Sequence, residues 1–200
     1  MAKARKKTAP QRNSGRRHAS QLRIIGGIWR GRRLSLPESA ALRPTPDRVR
    51  ETLFNWLQPW IAGAQCLDLF AGSGALGLEA LSRGAAQVVL IEQEAVAVQS
   101  LRVNLDKLQA QTADLIHTDA VHYLHGPARP FDIIFLDPPF QSDLLERCFD
   151  LLEKQQWIKP GGLVYIENPK TASELVLPPS WRLLRTKSAG QVGYHLARKT

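Results

Sequence analysis

The chain has only two cysteines among its 200 residues, Cys66 and Cys148, and each lies in an apolar stretch. Two such cysteines do not make the disulfide framework of a small secreted protein, so we expect a reducing compartment. No apolar run approaches the roughly 20 residues that a membrane-spanning helix needs. The basic N-terminus is not followed by the apolar segment of a secretory signal. These absences predict a soluble, cytoplasmic protein that has no membrane partner.

Metal ligands are also sparse. The five histidines are scattered, and the two cysteines lack the spacing of a metal site. We therefore expect no metal. Neither cysteine lies beside a motif that could form a pocket, so a cysteine nucleophile is not indicated.

Acidic residues are missing from the first 37 positions, which hold 11 of the 27 Lys and Arg residues and none of the 18 Asp and Glu residues. The remaining 163 residues hold 16 basic and 18 acidic side chains. A near-neutral body with a cationic arm predicts a polyanionic partner, either nucleic acid or a membrane surface. Residues 1–21 are too polar to form a core and predict a disordered basic tail. We expect residues 22–200 to form a single domain, in which residues 22–46 are a hairpin and loop extension.

Strand-like and helix-like segments alternate after residue 64. This alternation predicts an α/β fold with a mostly parallel sheet and helices on both faces. Two last strands flank residues 188–191 and predict an antiparallel C-terminal hairpin, which makes a seven-stranded sheet. A small N-terminal β-hairpin is expected near residues 22–36, followed by a helix that Asp47 caps. The predicted strands are 65–70, 87–92, 114–117, 131–137, 162–167, 181–187 and 192–198. Of the predicted helices between them, the first follows the glycine loop and ends at Arg83, and the others span 94–108, 119–125 and 142–154.

A glycine-rich loop follows the first of these strands. Gly72, Gly74 and Gly77 have the spacing of a dinucleotide fingerprint, and Glu92 ends the next strand twenty positions after Gly72. Such a loop lets the backbone approach a ligand, while the acid accepts hydrogen bonds from ribose, so the pattern predicts an adenosine-containing cofactor. Asp68 would repel a pyrophosphate and suits a cation, which favours S-adenosylmethionine (SAM). Asp119 is placed to accept from an adenine amino group.

The segment Asp137-Pro138-Pro139-Phe140 follows the fourth strand, at the edge where open α/β sheets bind ligands. Two prolines remove two N–H donors, so carbonyl and carboxylate acceptors dominate there. Asp137 and the Pro138 carbonyl can hold an exocyclic amine, and Phe140 can stack on a base. Orientation of the amine toward a methyl group would supply much of the rate.

Four stretches together resemble the RsmD family of bacterial 16S ribosomal RNA guanine-N2 methyltransferases. They are Arg23–Gly27 with Trp29–Arg32, Arg43–Glu51 leading into 53–56, Asp68–Leu81, and Asp137–Phe140, and the resemblance covers about residues 22–198. It implies a Rossmann-like class I SAM-dependent fold, a monomer, and methylation of one guanine, of the guanine 966 type, in 16S rRNA of the small subunit or its assembly intermediate. The residues it assigns to the cofactor are Asp68, Phe70, Ala71, Gly72, Gly74, Glu92, Asp119 and Ala120. Asp137–Phe140 would hold the base, with Arg43, Thr45 and Arg48 beside it.

The hairpin arginines Arg30, Arg32 and Arg33 are expected to contact RNA in a fixed geometry. Trp29 either packs beneath them, which we expect, or stacks on a base. The tail can add only a sequence-independent attraction to phosphates. Three alternatives stay open at this point: an adenine-N6 methyltransferase acting on DNA or RNA, a nicotinamide-dependent dehydrogenase, and a non-catalytic RNA-binding assembly factor.

Overall fold

The computed structural model describes residues 21–36, 45–140, 143–171 and 175–200. Strands and helices alternate from residue 65 onward, as predicted. Along the chain the elements are β1 (Gln21–Arg23), β2 (Arg33–Ser35), α1 (Asp47–Leu57), β3 (Gln65–Asp68), α2 (Gly77–Ser82), β4 (Gln87–Glu92), α3 (Ala95–Leu108), β5 (Ala113–His117), α4 (Ala120–Leu124), β6 (Phe131–Leu136), α5 (Leu144–Lys154), β7 (Ile158–Pro169), β8 (Trp181–Ala189) and β9 (Val192–Lys199).

Seven strands form the main sheet in the order β5-β4-β3-β6-β7-β9-β8. The first five are parallel to one another, while β9 is antiparallel to both β7 and β8. The predicted fold class, a mostly parallel seven-stranded sheet with an antiparallel C-terminal hairpin, is confirmed. The chain progresses outward from β3 to β5 and then returns to place β6 on the other side of β3. Open α/β sheets bind ligands at such a reversal, beyond the carboxyl ends of the strands.

The core lies on both faces of the sheet, because successive strand residues point to opposite sides. On one face Cys66, Ile133 and Phe135 pack with apolar residues of α1, α2, α3 and the N-terminal hairpin. On the other face Leu67 and Ile134 pack with residues of α4 and α5. Strands buried on both sides explain why the sequence shows nearly continuous apolar runs there.

The N-terminal hairpin is confirmed: β1 and β2 pair antiparallel, and Gln21 faces Ser35. Residues 1–20 of the predicted tail lie outside the described residues. The predicted cap of the first helix is wrong, since Pro46 precedes the helix and Asp47 is its first residue. The Asp47 carboxylate instead pairs with Arg23 and Arg50 at 2.9 and 2.6 Å, which ties the helix to the hairpin.

Several predicted strand boundaries also differ from the observed ones, and the differences at β3 and β7 have a clear cause. β3 ends at Asp68 rather than at residue 70, because the chain leaves the ladder to form the glycine loop. β7 begins at Ile158 rather than at residue 162, because an irregularity in register lets Ile158 pair with Phe131. Among the residues described, no helix combines the length and apolar character needed to cross a membrane.

Candidate active site

A pocket of about 770 Å³ opens at the carboxyl ends of β3, β4 and β6. It brings together residues that lie far apart in the sequence, including the glycine loop and the Asp-Pro-Pro-Phe segment. Every residue predicted to bind the cofactor contributes to its wall except Gly74. The lining residues are Thr45, 68–73, 75–76, 91–94, 118–120, 137–140 and Leu144.

Asp68 lies at the bottom of this pocket and is almost fully buried. Its Oδ2 accepts a hydrogen bond from the Gly77 amide at 3.0 Å, so the carboxyl joins the end of β3 to the start of α2. Burial raises the pKa of Asp68 to about 7, against the lowering effect of the Gly77 hydrogen bond and with a further raising effect of Asp137. A cation bound in the pocket would favour the ionised form.

Glu92 has a role that the sequence did not indicate. Its Oε2 accepts from the Gly72 amide and its Oε1 accepts from the Glu94 amide, both at 2.7 Å. The carboxylate therefore clamps the glycine loop against the end of β4. Each oxygen keeps a further acceptor position, so ribose hydroxyls can still bind there.

Two glycines of the loop lie in different surroundings. Gly72 lines the pocket, whereas Gly74 is not among the lining residues and packs beneath the loop. Gly74 has φ of +79°, and a Cβ there would lie 2.7 Å from a Leu101 methyl group and 2.8 Å from one of Leu78. Glycine is needed at this position for the turn and for close packing against α3.

Asp119 lies at the far side of the pocket, beside Ala120. Its Oδ1 accepts from the His122 amide at 2.8 Å and so caps α4. The side chain is exposed, and its second oxygen is available to a ligand amine.

The charge of the pocket is one-sided. Its described lining contains five acids and neither Lys, Arg nor His; the acids are Asp68, Glu92, Glu94, Asp119 and Asp137. This lining fits a cationic ligand and opposes a pyrophosphate. A sulfonium and an ammonium group on an adenosine, as SAM carries, match both the charge and the ribose acceptor at Glu92.

The Asp-Pro-Pro-Phe segment lines the pocket at the end of β6, the strand that pairs with β3. Asp137 follows β6 and is partly buried, whereas Phe140 keeps 41% of its surface exposed. Burial raises the pKa of Asp137 to about 6, although a hydrogen bond from the Thr45 hydroxyl lowers it. An exposed ring beside a half-buried carboxyl can hold a planar amine between stacking and hydrogen bonding.

Comparison with known proteins bears on this site. The family described as conserved hypothetical protein 95 matches residues 22–198. Ribosomal RNA small subunit methyltransferase D of Escherichia coli K12 is 50% identical over 181 residues, which cover 90% of this chain and 91% of that protein. The chain belongs to the ribosomal RNA small subunit methyltransferase D family. The Haemophilus influenzae relative of that name is 45% identical over 88% of this chain and 93% of its own. The solved structure of Escherichia coli yhhF has a TM-score of 0.83 and 50% identity, covering 90% of this chain and 98% of that one.

The resemblance to this methyltransferase D family, predicted from the sequence motifs, is thus confirmed. The family match ends near the C-terminus at residue 198 and begins at residue 22, so it includes both the N-terminal hairpin and the C-terminal strands.

The described arginines among those predicted to bind RNA are not part of the pocket lining. Arg30, Arg32 and Arg33 are exposed in the hairpin, and Arg48 is exposed on α1; Arg43 lies outside the described residues. Trp29 is partly buried against the core, as expected. Of the two described residues predicted beside the base, Thr45 and Arg48, Thr45 lines the pocket.

A buried ionic cluster, missed by the sequence analysis, attaches this hairpin. Glu79 is fully buried and accepts from the amides of Ile25 and Gly26, both at 2.8 Å. Arg83 pairs with Glu79 at 2.7 Å, and the buried Arg50 approaches it at 3.5 Å and donates to the Arg23 carbonyl at 2.8 Å. The cluster fixes the hairpin and its exposed arginines on the methyltransferase fold.

Two further features of the family member were also missed. Residues 175–200 hold five cations and no acid, and Arg185 and Lys187 are exposed on the edge strand β8. Glu167, near the carboxyl end of β7, is buried beside Asp137. A signal for it existed, because an acid ends an apolar strand at the same sheet edge as Asp137.

Proposed function

We propose that this chain transfers a methyl group from SAM to the exocyclic N2 of one guanine in 16S rRNA, of the guanine 966 type. The single observation that carries the proposal is the shared pocket. Asp68 and Glu92 line the same acidic pocket as Asp137 and the exposed Phe140. Membership of the ribosomal RNA small subunit methyltransferase D family supports the substrate.

SAM is the cofactor, and when bound it supplies an electrophilic methyl group on a sulfonium. Asp68 and Glu92 would bind the amino-acid and ribose parts, and Asp119 the adenine amino group. The absence of cations from the described lining disfavours the dehydrogenase alternative, since a dinucleotide pyrophosphate would face five acids.

Asp137 and the Pro138 carbonyl would accept the two N–H groups of the guanine amine while Phe140 stacks on the ring. Holding both hydrogens directs the nitrogen lone pair toward the methyl group for in-line attack. The sulfonium of SAM would supply the methyl group to this nitrogen, and Asp137 or water would take the proton that the amine releases.

The RNA would approach along basic surfaces on either side of the acidic pocket. Arg30, Arg32 and Arg33 lie on the hairpin attached over α2 and α3, and Lys187 lies on the opposite sheet edge. Cations on an edge strand also prevent strand pairing between molecules. Lys187 is therefore suited both to RNA binding and to protection of the sheet edge. We propose a cytoplasmic monomer that acts on the small subunit or its assembly intermediate.

The test uses labelled SAM, small subunits from cells that lack this activity, and mass spectrometry of the rRNA nucleosides. We expect N2-methylguanosine at one site. Asp137→Ala is expected to lower kcat by about a hundredfold or more while the SAM dissociation constant changes little. Label in N6-methyladenosine would identify adenine rather than guanine as the methylated base. Undiminished turnover by Asp137→Ala would refute the role of the carboxylate.

A further inference from the structure

A second carboxyl group lies directly behind Asp137. Leu136 of β6 pairs with Ile166 of β7 in parallel register, so the next residues along the two strands, Asp137 and Glu167, are neighbours. Glu167 is only 4% exposed and does not belong to the pocket lining. The Tyr165 hydroxyl donates to Glu167 Oε1 at 2.8 Å. Two carboxyls this close at a pocket wall require a means of avoiding mutual repulsion.

The Thr45 hydroxyl lies within reach of both carboxyl groups, and hydrogen bonding from it opposes the rise in the pKa of Asp137 and of Glu167. Thr45 is buried, and its carbonyl accepts from Arg50 Nε at 3.2 Å, so the residue is held in place from behind. A hydroxyl carries one proton and can donate to only one carboxylate at a time. When it donates to Asp137, its link to Glu167 requires a proton on Glu167.

We propose that Glu167 is a positioning residue that acts in its protonated form: its carboxyl donates to the Thr45 hydroxyl, which donates to the Asp137 carboxylate and fixes the orientation in which Asp137 accepts the substrate amine. The proposal rests on the proposed function, because it assigns the chain Glu167–Thr45–Asp137 to the methyl transfer described above.

The surroundings favour one shared proton. Burial, followed by the charge of Asp137, raises the pKa of Glu167 to about 8. Asp68 and Glu92 lie farther along the same acidic wall.

The other groups around Glu167 are Tyr165 on its own strand and Tyr194 across the register on β9, where α1 contributes Trp56 stacked on Tyr194. Among the residues paired across β7, β9 and β8 at this level, the nearest cation is Lys187 on β8, which is exposed. Arg50 contacts this group through the backbone carbonyl of Thr45. Near neutral pH the pair therefore holds one proton and one negative charge.

The arrangement predicts a distinctive pH dependence. When Glu167 loses its proton, two carboxylates compete for the single Thr45 proton, and Asp137 loses its fixed orientation. A glutamine at position 167 would accept from Tyr165 and donate to Thr45 at every pH, so it reproduces the protonated form. A carboxyl that serves only to fill space would give no such change in pH profile.

The experiment measures kcat for labelled methyl transfer to small-subunit rRNA between about pH 6 and pH 9. We expect the unaltered protein to lose activity above about pH 8. Glu167→Gln should keep kcat at neutral pH within about threefold and lose the alkaline decline. Thr45→Val should lower kcat by about tenfold or more with the KM for SAM unchanged, and Thr45→Ser should restore most of that loss. Glu146→Gln, an exposed site on α5, is the matched control and should retain the alkaline decline.

An alkaline decline that persists in Glu167→Gln, or loss of its activity at all pH values, would overturn the proposal. Titration of ¹³C-labelled carboxyl groups by NMR requires no substrate. It therefore tests the protonation of Glu167 independently of which base the protein methylates. We expect one carboxyl that titrates above neutrality, is missing in Glu167→Gln, and shifts in Thr45→Val. If the unaltered protein methylates no guanine, the proposed function fails, while absence of that titration overturns the role of Glu167.

Discussion

Replacement of Asp68 by Asn should stabilise the ligand-free protein at alkaline pH while abolishing tight SAM binding. Asp68 is 1% exposed, and its pKa is raised from the usual 3.8 to about 7 by burial. Between these two values the folded protein retains a proton that the unfolded chain has already lost. The free energy of unfolding therefore falls as pH rises across this interval, and the Asp68 contribution becomes constant above it. Asparagine removes this dependence because it stays neutral.

The magnitude follows from the two pKa values. A pKa difference of one unit corresponds to about 1.36 kcal/mol. From about pH 5 to pH 8, the ionisation of a buried Asp68 should lower the free energy of unfolding by about 3 kcal/mol. Asparagine has one acceptor oxygen where the carboxylate has two, so it loses part of the bonding to the Gly77 and Phe70 amides. That loss is about 1 kcal/mol, and it cancels when the same variant is compared at two pH values.

The assay is urea denaturation of both proteins at several pH values without SAM. The difference in unfolding free energy between Asp68→Asn and the unaltered protein should increase by about 3 kcal/mol from pH 5 to pH 8. Asp106→Asn, at an exposed site on α3, serves as control and should show no such trend. Parallel pH profiles for Asp68→Asn and the unaltered protein would refute the argument that Asp68 is held in a costly ionised state.

Other predictions concern the loop, the hairpin anchor and the RNA surface. Glu92→Gln should raise the SAM dissociation constant about tenfold to a hundredfold, measured by calorimetry, because one of the two amides it accepts from would meet an NH₂ group; unchanged affinity would remove Glu92 from the site. SAM affinity of the unaltered protein should increase from about pH 5.5 to pH 7.5 as Asp68 ionises, and a flat profile would contradict the assignment of a cationic ligand. Glu79→Gln should destabilise the fold by about 3 kcal/mol, because Arg50 and Arg83 lose their buried partner; urea denaturation measures this, and no change would show that the cluster is compensated elsewhere. Alanine at Arg30, Arg32 and Arg33 together should reduce the slope of log affinity for RNA against log salt by roughly 2 without affecting SAM binding, and deletion of residues 2–20 should also reduce it. An unchanged slope would exclude those residues from the RNA interface.

The acidic pocket also illustrates a balance between stability and binding. Asp68, Asp137 and Glu167 all have pKa values raised by burial, so each destabilises the ligand-free fold when it ionises. A bound cation reverses this effect for the carboxylates that face it. Asp68, which weakens the empty protein when it ionises near neutral pH, thus strengthens its hold on SAM.

Local patterns were sufficient for much of the fold. Apolar runs such as 87–92 predicted β4 with its correct bounds, because a strand buried on both faces leaves a continuous apolar signal. The glycine spacing and the Asp-Pro-Pro-Phe segment located two parts of the pocket lining, because each motif is contiguous and lies at the carboxyl end of a parallel strand. The errors occurred at element ends: the predicted Asp47 cap failed because Arg23 and Arg50 compete for its carboxylate.

The sequence by itself determined the periodicity of the elements, the acid-free N-terminal arm and the two motifs, since all of these depend on neighbours along the chain. Only the tertiary structure decided that Gly74 packs against Leu101 rather than facing the pocket, and that Glu79 anchors the hairpin 54 residues away. It also placed Glu167 and Thr45 against Asp137. Hydrogen bonding and loss of solvation depend on which distant groups are brought into contact, and that contact exists only after β6, β7 and the segment before α1 have packed together.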